Sequence, residues 1–228
     1  MLNHSWDKVW RIKRGYSGDS LRKLKARKKV DWLMNMRQVT DTDIVADLGC
    51  GGGYISKHLS DLTRCKIIGV DISKNAIATA KRLCNRSNTK FLVQSITELS
   101  LENNSVDVVM CVGSLEHVID FDKAIKEVHR ILKPGGFLFV VSTNYHSFVH
   151  MQVSIKQKLK IWKFGYEKDW KSDDLIQALT KAGFKKEKCF VKVGFGDLRI
   201  ENFLDKTASL FNKKFGRYIV YGGVKRSK

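Results

Sequence analysis

One stretch constrains this chain more than any other: Val45-Ala46-Asp47-Leu48-Gly49-Cys50-Gly51-Gly52-Gly53-Tyr54. Ile44 to Leu48 is a short, mostly apolar run bounded by turn residues, the pattern of a buried parallel strand. Gly49, Gly51 and Gly53 then fall at every second position. Glycines there let the backbone turn tightly and bring main-chain N–H groups close to a ligand that a Cβ would hold off. Tyr54 to Ser60 reads as a helix, so its positive N-terminal end faces that ligand.

The spacing decides between nucleotides. The dinucleotide fingerprint G-x-G-x-x-G puts its third glycine at position 54, and that residue is Tyr54. The frame that fits is acid-x-G-x-G-x-G, with Asp47 as the acid. A second acid, Asp71, ends the next apolar run, Ile67 to Val70. A carboxylate at the tip of that strand is placed to accept hydrogen bonds from ribose hydroxyls. Asp47, beside the loop, is placed to pair with a ligand ammonium. A nucleoside carrying an amino acid answers to both acids.

Four blocks in order carry a family resemblance: DLGCGGG from Asp47, GVDIS from Gly69, SVDVVMCVGSLEHV from Ser105 and ILKPGGFLFV from Ile131. Together they resemble the class I S-adenosylmethionine (SAM) dependent methyltransferases, and most of all the type 11 branch with the ubiquinone and menaquinone methyltransferases. The resemblance spans Asp41 to Val141 and continues weakly through Ala182 to Phe184. It implies an α/β, Rossmann-like, doubly wound sheet of seven strands, mostly parallel, with an antiparallel edge hairpin. It implies SAM as cofactor, S-adenosylhomocysteine as product, and cofactor contacts from Asp47, Gly49, Cys50, Gly51, Asp71 and Ile72. The family's acid at the adenine amine is replaced here by Ser95, followed by Ile96. Val112, after the fourth strand, offers main-chain contacts to the methionine part.

Alternating strands and helices imply a parallel sheet with helices on both faces. Strands are predicted at 44–48, 66–70, 90–93, 106–111, 136–142, 184–193 and 217–224. Helices are predicted at 20–36, 53–61, 73–85, 121–132 and 172–182, with Ser73 capping the third and Gly135 and Gly136 stopping the fourth. Residues 194–215 read as polar, irregular or partly helical. Residues 1–40 form a basic arm and helix ahead of a methyltransferase domain at 41–228. Within that domain, 145–165 reads as a helical insertion. Its stripe Phe148, Met151, Ile155, Leu159 and Trp162 lies beside Lys156, Lys160 and Lys163. The insertion is predicted to lid the substrate pocket with that stripe packed on the protein; the alternative is a peripheral membrane contact through 148–164.

Methyl transfer from a sulfonium is one displacement with nucleophile, carbon and sulfur in line, so much of its acceleration can come from positioning. An oxygen or carbon acid also needs a base. The base candidate is His117, which follows the fourth strand at the ligand-binding edge of such a sheet. Its alternative is a loop histidine that orders the next helix. In the related ubiquinone O-methyltransferases the block E-x-x-E-H binds a divalent metal. Here the first position is Gly113, and Glu116 with His117 alone makes a poor site, so no metal is expected. Tyr16, His146 and Tyr166 are candidate acceptor contacts. Trp6 and Trp10 either close over the cofactor or anchor the arm to the sheet edge.

The chain has a net charge of +19. Residues 1–40 hold 11 basic and 3 acidic residues, 41–150 hold 12 of each, and 151–228 hold 19 and 8. All the excess therefore lies outside the cofactor-binding core, as an anionic partner or a lysine-rich solvated surface would require. The leading expectation is a small-molecule acceptor, anionic or lipid-like, methylated on oxygen, carbon or nitrogen. An RNA substrate is the alternative, since basic flanks carrying Trp and Tyr suit phosphate contact and base stacking. It lacks the N-P-P-Y clamp and, with Pro134 the only proline, the Pro-Cys pair of base methyltransferases. A SAM-binding scaffold without catalysis is a third reading. No apolar run approaches a membrane span, and five cysteines without metal spacing suit a reducing cytoplasm.

Overall fold

A computed structural model of the protein describes residues 6–10, 18–159, 161, 166–168, 170–194 and 200–226, with backbone alone at 200–202. Tyr16 and Trp162 lie outside them. Seven strands run β1 Ile44–Leu48, β2 Lys66–Asp71, β3 Thr89–Val93, β4 Val106–Val112, β5 Leu132–Thr143, β6 Phe184–Lys192 and β7 Tyr218–Lys225. They form one sheet in the order β3-β2-β1-β4-β5-β7-β6. The first five pair in parallel, while β7 runs antiparallel to both β5 and β6. The seven helices with assigned bounds are α1 Asp19–Met36, α2 Tyr54–Leu62, α3 Lys74–Leu83, α4 Phe121–Ile131, α5 Phe148–Lys158, α6 Ser172–Lys181 and α7 Ile200–Phe211.

The pleat explains how the sheet holds two cores. Successive side chains on a strand point to opposite faces. Val45, Val108, Met110, Phe137 and Phe139 therefore pack on one side with Val30 and Leu33 of α1 and Leu59 of α2. Ala46, Leu48, Val109, Cys111, Leu138 and Val140 pack on the other with Ile125 and Val128 of α4 and Leu175 and Leu179 of α6. Both faces are covered, so the central strands are apolar at nearly every position.

Local signals set the element ends. The Ser73 hydroxyl accepts from the Ala76 N–H (3.2 Å) and the Asp120 carboxylate from the Lys123 N–H (2.9 Å), capping α3 and α4. Gly183, at φ +96°, turns the chain out of α6 into β6. One boundary differs clearly from expectation: β5 begins at Leu132, not 136, because Leu132 pairs with Val106 before a register shift brings Phe137 opposite Val108. Helix α4 accordingly stops at Ile131, ahead of the predicted glycine stop.

Strand order reverses between β1 and β4, so loops at their carboxyl ends diverge and leave a crevice. The loop after β1 turns through Gly49, Gly51 and Gly53 at φ +76°, +55° and +78°. A Cβ on Gly53 would sit 2.9 Å from the Ala80 Cβ and 3.0 Å from its Cα. Replacing Gly53 with Ala combines left-handed strain with a backbone clash, and should lower unfolding free energy by about 2 kcal/mol or more. Urea denaturation measures this; an unchanged midpoint would show that α3 yields freely.

Candidate functional site

The crevice opens into a cavity of 390 Å³ at the carboxyl edge of the sheet. That volume is within the range of small-molecule sites, roughly 300–1,000 Å³. Among the predicted contacts, Gly49, Asp71, Ile72, Ser95, Ile96 and His117 line it together. Asp47, Cys50, Gly51, Val112, His146 and Tyr166 do not.

Asp71 organises the glycine-loop end of the cavity. Its Oδ2 accepts from the Gly51 N–H and its Oδ1 from the Ser73 N–H, each at 2.9 Å. The carboxylate thereby ties the loop after β1 to the loop after β2. Ile72 and Ile96 supply apolar walls on either side of Ser95. The Ser95 hydroxyl is held by the Thr97 hydroxyl (2.8 Å) and accepts from the Thr97 N–H (3.2 Å). Below it, Arg130 donates to the carbonyls of Leu99 and Leu101 and pairs with Glu127, which accepts from the Leu99 N–H. This network fixes the loop carrying Ser95 and Ile96.

Asp47, expected at a ligand ammonium, is not among the residues that line the cavity. It is 1% exposed and accepts a 2.6 Å hydrogen bond from the Ser56 hydroxyl of α2. The side chain alternates inward from β1, under the glycine loop rather than into the cavity. Burial pushes its carboxyl up to about 6, with the Ser56 hydrogen bond opposing and the nearby Asp71 charge adding to the rise. Cys50 packs against a small cluster with Ile77, Ala80 and Phe91, and burial pushes its thiol up. All five cysteines are unpaired thiols.

His117 lies in a short helical turn, Leu115–His117, just past β4. Its Nδ1 is 2.9 Å from the Tyr166 carbonyl oxygen. A carbonyl can only accept, so the neutral ring carries its proton on Nδ1 and leaves Nε2 as an acceptor. Tyr166 thus reaches the site through its backbone, with its side chain half exposed. Glu116 is buried and points away, its Oε1 3.4 Å from the Thr143 N–H, and burial pushes its carboxyl up. His146, just after β5, meets the Phe215 ring, just before β7, with centroids 5.9 Å apart and a 47° tilt. Among the described residues, no three His, Cys, Asp or Glu side chains are grouped to hold a metal.

The cover of the cavity comes from residues 6–10, not from the predicted insertion. No described residue of 145–165 lines it, whereas Trp6 and Trp10 do. A Cβ on Gly51 would lie 2.5 Å from the Trp10 ring, so the absence of a side chain at 51 is what admits the indole. Trp6 meets the His117 ring edge-on at 4.9 Å. Asp7 fastens the turn: its Oδ1 accepts from the Ser73 hydroxyl (2.6 Å) and the Asn75 N–H (3.2 Å) at the start of α3. Sequence reasoning also passed over Thr97, Ser114, Val118, Ile119 and Asp120 as lining residues. Their signal was positional, since each follows the carboxyl end of β3 or β4.

Comparison with known proteins agrees with this geometry. Residues 46–140 match the model of the methyltransferase domain family. A ubiquinone biosynthesis O-methyltransferase of Aliivibrio fischeri is 34% identical over 122 residues, covering 51% of this chain and 52% of that protein. A methyltransferase solved in complex with the Haloferax volcanii Trm112 methyltransferase activator shares the fold at TM-score 0.79, 20% identity and 100% and 99% coverage. So does a SAM-dependent methyltransferase from Thermotoga maritima, at TM-score 0.69, 20% identity and 99% and 100% coverage. Residues 46–140 are thus similar to a methyltransferase domain, and the fold is the one shared by class I, Rossmann-like methyltransferases. The chain spans about half the length of the curated relatives it matches.

The raised Asp47 carboxyl has a defined pH consequence. The folded state holds this proton more tightly than the unfolded chain, so its stabilising contribution is complete below about pH 4 and is lost as pH rises through about 6. An Asp47→Asn variant keeps an acceptor for the Ser56 hydroxyl and removes the titration. Between pH 4 and pH 7 the variant should gain about 2 kcal/mol relative to the parent. Denaturant titrations at the two pH values measure that gain; a pH-independent difference would place the Asp47 titration outside this window.

Proposed function

We propose that the chain transfers the methyl group of SAM to a small, largely apolar acceptor by in-line displacement at an oxygen, carbon or nitrogen nucleophile. The observation that carries this reading is one cavity lined both by Asp71, with the glycine turn, and by His117. The cofactor supplies an electrophilic methyl group on a sulfonium. The chain's residues do the rest. Asp71 accepts from the ribose hydroxyls while holding the Gly51 and Ser73 amides in place. Ile72 and Ile96 flank the adenine, and Ser95 offers an uncharged hydroxyl where relatives carry an acid. Gly113 lines the cavity with nothing within 4 Å of the position its Cβ would take, leaving room at the acceptor end.

His117 is the base for an acceptor that must lose a proton. The Tyr166 carbonyl fixes the tautomer that leaves Nε2 free to accept, and Trp6 braces the ring. The Trp6 and Trp10 cover excludes water, which would otherwise solvate the nucleophile. A small apolar acceptor suits this roofed cavity better than a base presented on an RNA strand. The ubiquinone-pathway name of the Aliivibrio fischeri relative agrees with an apolar acceptor.

Two measurements test the reading. Calorimetry with SAM should show Asp71→Ala weakening affinity about ten- to a hundredfold, the worth of hydrogen bonds to a charged group. Circular dichroism checks that the variant is folded, and unchanged affinity in a folded variant overturns the cofactor assignment. His117→Gln should leave SAM affinity intact and reduce S-adenosylhomocysteine formation on apolar phenols and catechols by about a hundredfold or more. Full turnover at neutral pH in that variant removes His117 as base while leaving SAM binding in place.

A further inference from the structure

Residues 166–168 come back to the site beside the point where the chain left it. Strand β5 ends at Thr143, two residues past Val141, which pairs with Val112 at the end of β4. The chain then runs out through α5, whose start is tied to α7. The buried Asp205 carboxylate accepts there from the Ser147 hydroxyl (2.9 Å) and the Phe148 N–H (2.8 Å). His150 is the buried residue of α5, whereas Met151, Ile155 and Leu159 are each more than half exposed. The stripe predicted to pack on the protein therefore does not. What returns at 166–168 grips the short turn that carries His117.

Each of the three residues makes a different tie. The Tyr166 carbonyl accepts from the His117 Nδ1 at 2.9 Å. The Glu167 Oε1 accepts from the Thr143 hydroxyl at 3.1 Å. The Lys168 N–H donates to the Glu116 carbonyl at 2.7 Å. Glu116 closes the circuit, because the Oε1 of its buried side chain accepts from the Thr143 N–H at 3.4 Å. Thr143 thus meets Glu167 with its hydroxyl and Glu116 with its amide. Farther along, the Tyr145 N–H donates to the Trp170 carbonyl (2.8 Å), and the buried Trp170 ring lies 4.9 Å from that of Phe121.

Peptide geometry makes Glu167 the hinge of this arrangement. The Tyr166 carbonyl lies in one rigid plane with the Glu167 nitrogen and Cα. The Lys168 N–H lies in the next plane, which shares that Cα. One plane holds His117 and the other holds Glu116. A carbonyl selects a tautomer only while its own plane stays in place. The side chain that fixes the junction of the two planes reaches the end of β5. We propose that Thr143 and Glu167 are positioning residues for His117: their hydrogen bond holds the 166–167 peptide so that its carbonyl keeps the ring proton on Nδ1 and leaves Nε2 to accept. The catalytic consequence rests on the reading of His117 as base. A carboxylate acting by its charge would do without Thr143, and an amide could not replace it; a carboxylate acting as an acceptor needs the hydroxyl and tolerates the amide.

The test uses the full chain labelled with 15N and requires no acceptor. At about pH 8, above the ordinary histidine pKa, the ring is neutral and nitrogen–proton correlation spectra show which nitrogen carries the proton. His117→Gln identifies the His117 signals by their loss. The parent should hold the proton on Nδ1. Glu167→Ala and Thr143→Val should each give a mixture of the two tautomers, and Glu167→Gln should keep the parent pattern. Formation of S-adenosylhomocysteine on phenols and catechols should fall about tenfold in kcat in Glu167→Ala and Thr143→Val, the size of one hydrogen bond, with SAM affinity unchanged. The double variant should lose no more than either single one, since both remove the same bond. Circular dichroism checks folding, and Glu167→Ala carries the test should Thr143→Val not fold. An unchanged tautomer in folded Glu167→Ala, a Glu167→Gln variant that behaves like Glu167→Ala, or a double variant that multiplies the two single losses would overturn the proposal. Full turnover in His117→Gln would instead remove His117 as base and leave the anchoring of its ring standing.

Discussion

Asp71 accepts from the Gly51 and Ser73 amides at once, and much of the site depends on that pair of hydrogen bonds. Gly51 belongs to the loop after β1 and Ser73 to the start of α3, so one carboxylate sets the separation between two helix N-termini. Ser73 in turn caps α3 and donates to Asp7, which brings the 6–10 turn over the cavity. The glycine at 51 then matters twice. Its φ of +55° makes the turn, and its missing side chain makes room for Trp10. Cofactor acid, helix cap and aromatic cover are thus one connected unit.

The electrostatics of that unit are arranged in depth. Asp71 lies at the cavity wall and can meet a ligand, whereas Asp47 lies beneath the loop and cannot. Two carboxylates so close in a low dielectric resist being charged together. The fold relieves this by giving Asp47 a hydroxyl donor and raising its affinity for a proton. His117 is managed differently. A backbone carbonyl fixes its tautomer, and no carboxylate is needed.

How much of this was legible in the sequence depended on the range of the forces involved. Strand β1, the Ser73 cap and the acid at 71 rest on neighbours a few residues away, and the pattern placed them well. The seven-stranded order came through the family resemblance more than through periodicity, since short apolar runs do not state their partners. Three things were not legible, each for one reason. Asp47 faces the core because of the pleat of a strand whose two faces are both apolar, so alternation carried no signal. Which of their two predicted roles Trp6 and Trp10 take was undecided, because the cover rests on contacts with residues more than sixty positions away for Asp7 and forty for Trp10. The α5 stripe announced an apolar face but not its direction, and that direction was set by Asp205, far along the chain.

That last point bears on why a basic chain keeps a neutral core. Residues 41–150 balance their charges, and there Asp71 lines the cavity while Asp47 stays buried. Extra lysines close by would compete with a cationic ligand for Asp71. Positive charge placed on α5, α7 and the flanks lies on added elements that share the active edge without lining the cavity. Distance then does the sorting: beyond about 8–10 Å at physiological salt, exposed charges are largely screened. The buried anchors of the inserted helices, His150 and Asp205, commit one face of each helix to the protein and leave the opposite face outward.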